Sequence, residues 1–155
     1  MHSVVEQVEI IGMMAAHESV IAELYQAYAA RFPQHAEFFR ALAAEEVEHA
    51  RMIAAFADKV KAHLVHVNPG RFSPQSILTS LDYLRERVKE AKEGEITAIN
   101  ALSTATDLEE ALIERRYFEI VEDDSPELKQ LLRTLATETE AHRGMVRQAW
   151  ENERR

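Results

Sequence analysis

The segment Glu46-Val47-Glu48-His49 sets a carboxylate and an imidazole three residues apart. On a helix that step brings both to one face, a single turn apart. Carboxylate oxygen together with imidazole nitrogen suits iron, manganese or zinc. Taken alone, Glu-x-x-His is a weak signal in a chain this rich in glutamate. Its surroundings strengthen it. Steps of three and four along the chain give Ile11, Met14, Glu18, Ile21, Tyr25, Tyr28 and Phe32, and then Leu42, Glu46, His49, Ile53, Phe56 and Val60. Two further stripes read Ile99, Ser103, Thr106, Glu110, Ile113, Tyr117 and Ile120, and Leu128, Leu135, Thr139, His142 and Val146. Three of these four stripes carry a mid-run glutamate and two carry a histidine. A lone carboxylate in an apolar interior costs several kcal/mol or takes up a proton. Acids at a common depth therefore need a shared partner, and a pair of divalent metal ions supplies one. Bundle di-metal sites draw one Glu from each of two helices and Glu-x-x-His from each of the other two. The candidate ligands on this reading are Glu18, Glu46, His49, Glu110 and His142.

The chain also repeats itself. Glu18 and Tyr25 recur as Glu110 and Tyr117 at an offset of 92, and Leu42 and His49 as Leu135 and His142 at an offset of 93. Two similar hairpins would each bring half of a site to a pseudo-twofold bundle. The elements that must position them follow from the breakers. A first helical run extends from about Ser3 to Arg31, where Ser3 and Glu6 form a capping box and Phe32-Pro33-Gln34 interrupts. A second runs from about 34 to 65. Asn68-Pro69-Gly70-Arg71-Phe72-Ser73-Pro74 is a dense breaker cluster, followed by a short helix near 75–92 that stops at Gly94. A third long run covers about 95–122. Asp123-Asp124-Ser125-Pro126 closes it and opens a fourth, to about 153. The prediction is an all-α chain forming one domain over 1–155: a four-helix bundle of two antiparallel hairpins. A long crossover at about 66–94, containing a short helix, joins them.

Composition narrows the function classes. The chain has 155 residues, 46% of them hydrophobic, with only four glycines and four prolines, which suits a few long helices better than a turn-dense β-fold. A net charge of −9 argues against phosphate-gripping nucleic-acid partners and favours cations. The absence of cysteine excludes disulfides, thiolate zinc sites and cysteine-ligated iron. No stretch approaches the roughly 20 apolar residues of a membrane span. The first residues lack the basic-then-apolar pattern of a secretory signal. A cytoplasmic protein with no membrane partner is the expectation.

The sequence resembles the rubrerythrin-like branch of the ferritin-like superfamily over nearly its whole length. The resemblance rests on Glu18 with Tyr25, on Phe38-Phe39-Arg40-Ala41-Leu42-Ala43-Ala44-Glu45-Glu46-Val47-Glu48-His49-Ala50, on Glu110 with Tyr117, and on Leu135-Ala136-Thr137-Glu138-Thr139-Glu140-Ala141-His142. It implies a ferritin-like bundle holding a non-haem di-metal centre, iron first and manganese or zinc as alternatives. It also implies peroxide reduction, ferroxidase or oxygen chemistry, with peroxide or oxygen as substrate. Two departures stand out. Rubrerythrins proper carry a rubredoxin-like domain with a four-cysteine iron, and this sequence has no cysteine, so turnover requires an external electron donor. In the fourth helix Thr139 stands where the family pattern calls for Glu, and Glu138, a four-residue step from His142, is the nearest substitute ligand. Two further functions remain open at this stage: iron binding or storage, which needs a large closed assembly, and a non-enzymatic helical module with a degenerate site. A homodimer is expected in each case.

Supporting residues carry weaker readings. Tyr25 and Tyr117 can donate hydroxyl hydrogen bonds to ligand carboxylates or serve simply as core aromatics with a polar tip. Glu109 is the register alternative to Glu110. Its stripe takes in Leu102, Ala105 and Leu112 but then meets Arg116, so Glu110 is preferred. Glu114 is a possible extra carboxylate. His17 projects about 100° from Glu18 on the helix and is expected at the surface. His63 and His66 belong to the helix end and crossover, and Trp150 anchors the last turns or a dimer contact.

Overall fold

Ser3 opens the first helix as its spacing to Glu6 requires: Ser3 Oγ accepts the Glu6 N–H at 3.1 Å. In the computed structural model, residues 3–67, 74–111 and 126–155 are described, apart from the side chains of 126–129, 131 and 132. Five α-helices cover them: α1 (Val4–Arg31), α2 (Ala36–Lys61), α3 (Pro74–Glu93), α4 (Ala98–Ala111) and α5 (Pro126–Arg154). There is no strand among the described residues. The architecture is an all-α bundle in which α1 pairs with α2 and α4 with α5, while the crossover helix α3 lies against α1. Tyr117, Glu114 and the Ser125 cap lie outside the described residues.

The packing of α3 explains a departure from expectation at His17. Helix α3 is amphipathic and buries one stripe, Ile77, Leu81, Leu84, Val88 and Ala91. The matching stripe lies on α1, which therefore buries two faces, one toward the bundle and one toward α3. His17 sits on the second. It is buried, not at the surface, and its Nε2 is 2.7 Å from Ser80 Oγ. The crossover is fixed at both ends. Gln7 Oε1 accepts the Val67 N–H at 2.8 Å, and Arg31 donates to the carbonyls of Ala91 and Gly94. A Cβ at Gly94 would lie 2.7 Å from the Glu90 carbonyl oxygen, so the last turn of α3 closes tightly only on glycine.

Helix α2 stops at Lys61, four residues before the sequence reading has it end. The N–H of His63 bonds to Val60 O and that of Leu64 to Lys59 O. This pair is a Schellman closure, with His63 in the left-handed position at φ 59°. Glycine usually marks such an end, and none is present here. An aromatic layer fills the bundle on one side of mid-height. Tyr25, Tyr28 and Phe39 are almost fully buried, with Phe39 6.0 Å from Tyr25 and 5.3 Å from Tyr28 between ring centres.

Two outcomes follow. His63→Gly relieves a left-handed non-glycine residue and should raise unfolding free energy by roughly 1 kcal/mol, read as a higher denaturant midpoint at constant slope. An unchanged midpoint would show that this turn carries no strain. Burial lowers the His17 pKa to about 4 from 6.5. Below pH 6.5 the unfolded chain gains a proton there that the folded chain refuses until about pH 4. Stability then falls across that window, by up to about 1.4 kcal/mol per pH unit. A His17→Leu variant should lose this component when denaturant curves at pH 7 and pH 5 are compared with the parent. Equal pH sensitivity in the two proteins would refute the assignment.

Candidate metal centre

The buried stripes of α1, α2 and α5 are apolar except at mid-height. Glu18 follows Met14 on α1, Glu46 and His49 lie between Leu42 and Ile53 on α2, and Thr139 and His142 lie between Leu135 and Val146 on α5. All of these are buried. On α4 the acid that turns inward is Glu109. Reciprocal hydrogen bonds fix the start of this helix: Thr97 N–H to Asn100 Oδ1 at 3.1 Å and Asn100 N–H to Thr97 Oγ1 at 3.2 Å. The buried face is then Ala98, Ala101, Leu102, Ala105 and Glu109.

This corrects the expectation for Glu110. Its side chain is exposed and lies 3.9 Å from Arg147 Nη1. One residue rotates a side chain by about 100°, and the expected stripe through Ser103 and Thr106 lies at the edge of the interface. There Ser103 Oγ accepts the Trp150 indole N–H at 2.8 Å, which ties α5 to α4.

Five buried donors converge. Glu18, Glu46 and His49 form one group, and Glu46, Glu109 and His142 a second. Within each group the donor atoms lie within 4.8 Å of one another. Glu46 belongs to both. Its Oε2 lies 3.6 Å from His49 Nδ1 and its Oε1 lies 3.6 Å from His142 Nδ1. The two imidazoles stack with centroids 5.8 Å apart. A separation of 3.6 Å is too long for a hydrogen bond, and both Nδ1 atoms are buried without one. It matches two donors sharing one ion at about 2.0–2.2 Å each. The donor set, three carboxylates and two imidazoles in a dry layer, fits a pair of divalent ions.

The surroundings tune these donors. Tyr25 O–H donates to Glu109 Oε1 at 2.7 Å across the bundle. Burial pushes Glu109 up to about 7, with the Tyr25 hydrogen bond opposing it. Burial likewise pulls His142 down to about 4, which leaves its imidazole neutral and able to ligate. Thr139 is buried where a fourth inward carboxylate would stand, and its hydroxyl donates to Leu135 O at 2.8 Å.

Glu138 does not join the inner set. Its side chain is 46% exposed, and its Oε2 lies 2.8 Å from His49 Nε2, the outer nitrogen of that ring. Glu45, which the sequence reading did not single out, makes an ion-pair contact with His142 Nε2 and is also half exposed. A signal for it existed: Glu45 stands 93 positions before Glu138, the offset that relates His49 to His142. Tyr25 lies where a supporting hydroxyl was expected, while the Tyr117 expectation falls outside the described residues.

The family model for rubrerythrin matches residues 9–121. That span contains Glu18, Glu46, His49 and Glu109 and ends before α5. No curated protein and no solved structure gives a match.

The register is open to a direct check. Glu109→Gln removes a buried donor and should cost at least one metal equivalent, or about tenfold in affinity, when manganese or zinc is titrated into metal-free protein. Glu110→Gln should bind as the parent does. The reverse pattern would place Glu110 in the centre.

Proposed function

Because the chain belongs to the rubrerythrin family, we propose that it is a non-haem di-metal redox protein, with iron as the metal and peroxide as the substrate. The observation that carries this reading is the pair of buried donor groups joined through Glu46. When bound, two redox-active ions supply electrons and polarise an O–O bond as Lewis acids. Peroxide reduction consumes two electrons and two protons and releases two waters. No cysteine in this sequence can ligate a relay iron, and the electrons are assigned to a carrier outside this domain.

The chain's own residues perform the remaining tasks. Glu18 and Glu109 would each help hold one ion, and Glu46, which belongs to both donor groups, would help hold the two. His49 and His142 present Nδ1 toward Glu46. Tyr25 O–H donates to Glu109 Oε1, which would leave the second oxygen of that carboxylate for a metal ion. Above and below, Met14, Ile53, Leu42 and Leu102 exclude water from the layer. Thr139 adds neither charge nor bulk of a ligand's size, so one side of the centre is left for a small oxygen substrate. Ferroxidase chemistry uses the same residues with ferrous ion as the reductant.

Ferrous-loaded protein should oxidise within seconds of adding stoichiometric hydrogen peroxide, followed by the rise of near-ultraviolet ferric absorption. Removing the metal should lower the thermal midpoint, since an ion held only by the folded state stabilises it. A purified protein that retains no iron or manganese above background, and whose midpoint ignores chelator, would identify a helical module with a degenerate site. Metal uptake far above two equivalents by a large closed assembly would identify storage.

A further inference from the structure

Each imidazole in the centre has two nitrogens with different surroundings. Nδ1 of both rings faces Glu46 in the dry interior. Nε2 of each ring lies on the side away from Glu46, against a carboxylate from the opposite helix: His49 on α2 hydrogen-bonds Glu138 on α5, and His142 on α5 is in ion-pair contact with Glu45 on α2. The arrangement is reciprocal, and the sequence repeats it at one offset, since Glu45 and Glu138 are 93 positions apart, as are His49 and His142. Both carboxylates are about half exposed, at 53% and 46%.

We propose that Glu45 and Glu138 are positioning residues of the centre, each holding the proton of the opposite histidine on Nε2 so that Nδ1 is free to bind a metal ion. The inference rests on the metal-centre reading above. A carboxylate behind a ligating imidazole selects the tautomer, fixes the ring plane and raises the basicity of the inward nitrogen. Here it has an added effect. Three inner carboxylates fall short of the +4 of two divalent ions, because Thr139 occupies the fourth place. Glu45 and Glu138 bring two further negative charges to the same centre through the imidazoles, without burying either one. They also lock α2 to α5 at the height of the site.

The test is calorimetric titration of cobalt(II) into the metal-free full chain, its Glu45→Gln, Glu138→Gln and doubly substituted variants, and Glu48→Gln as a control on the outer face of α2. The visible d–d spectrum of each loaded protein is recorded alongside. Glutamine keeps size and an acceptor oxygen but removes the charge. Each single variant should bind cobalt 10–100-fold more weakly with an altered d–d band, the double variant more weakly still, and Glu48→Gln as the parent. A merely structural role would lower the thermal midpoint of the metal-free variants and leave affinity and spectrum untouched, which overturns the proposal. Parental affinity, spectrum and midpoint in both single variants overturn it too. A parent that binds no cobalt removes the metal-centre reading itself, and this inference with it.

Discussion

The constraint on which the structure turns is electrostatic. Three carboxylates share the interior of a small helical bundle, and no lysine or arginine stands among the buried residues described there. Charges taken out of water so close together repel strongly in a medium of low polarity. Two responses are open to such a layer: take up protons, or take up cations. Burial pushes Glu109 toward the first, up to about 7. The convergence of imidazole nitrogens on the same layer equips it for the second. Apolar residues above and below seal the layer from water, which raises both the repulsion and the reward for a bound cation.

This arrangement explains the allocation of the other elements. The closest helix pairings lie within the hairpins and between α1 and α3. The meeting of the hairpins at mid-height is made by polar side chains instead: Tyr25 with Glu109, His49 with Glu138, His142 with Glu45. At that height the two hairpins are thus joined through a polar seam. Helix α3 covers the outer face of α1, where His17 would otherwise meet solvent.

The helices, their order and four of the five inner donors were legible because each left a local signal. Glu18, Glu46, His49 and His142 sit on stripes whose apolar members recur at steps of three and four. Glu109 was harder. Its stripe is regular through Leu102 and Ala105, but weighing it required knowing where α4 begins, and the local Thr97–Asn100 cap that fixes this is a weak signal in the sequence. Arg116 on that same line drew the register one residue onward, to Glu110. His17 was misplaced for a different reason: a single helix read against a single partner has one buried face, and α1 has two. The end of α2 lacked its usual glycine. Glu45 was hidden by its neighbour, since a residue one step from a strong motif points elsewhere along the helix, and only the reach of a long side chain returns it to the opposite imidazole.

Glu46 serves both donor groups, and this has a thermodynamic consequence. Two cations held there would not be independent occupants, because Glu46 offers one oxygen to each donor group and each ion would feel the charge of the other. Whatever the first ion did to the orientation of Glu46 would alter the affinity for the second, and linkage would make that influence equal in both directions. A single shared side chain would turn two adjacent positions into one cooperative unit.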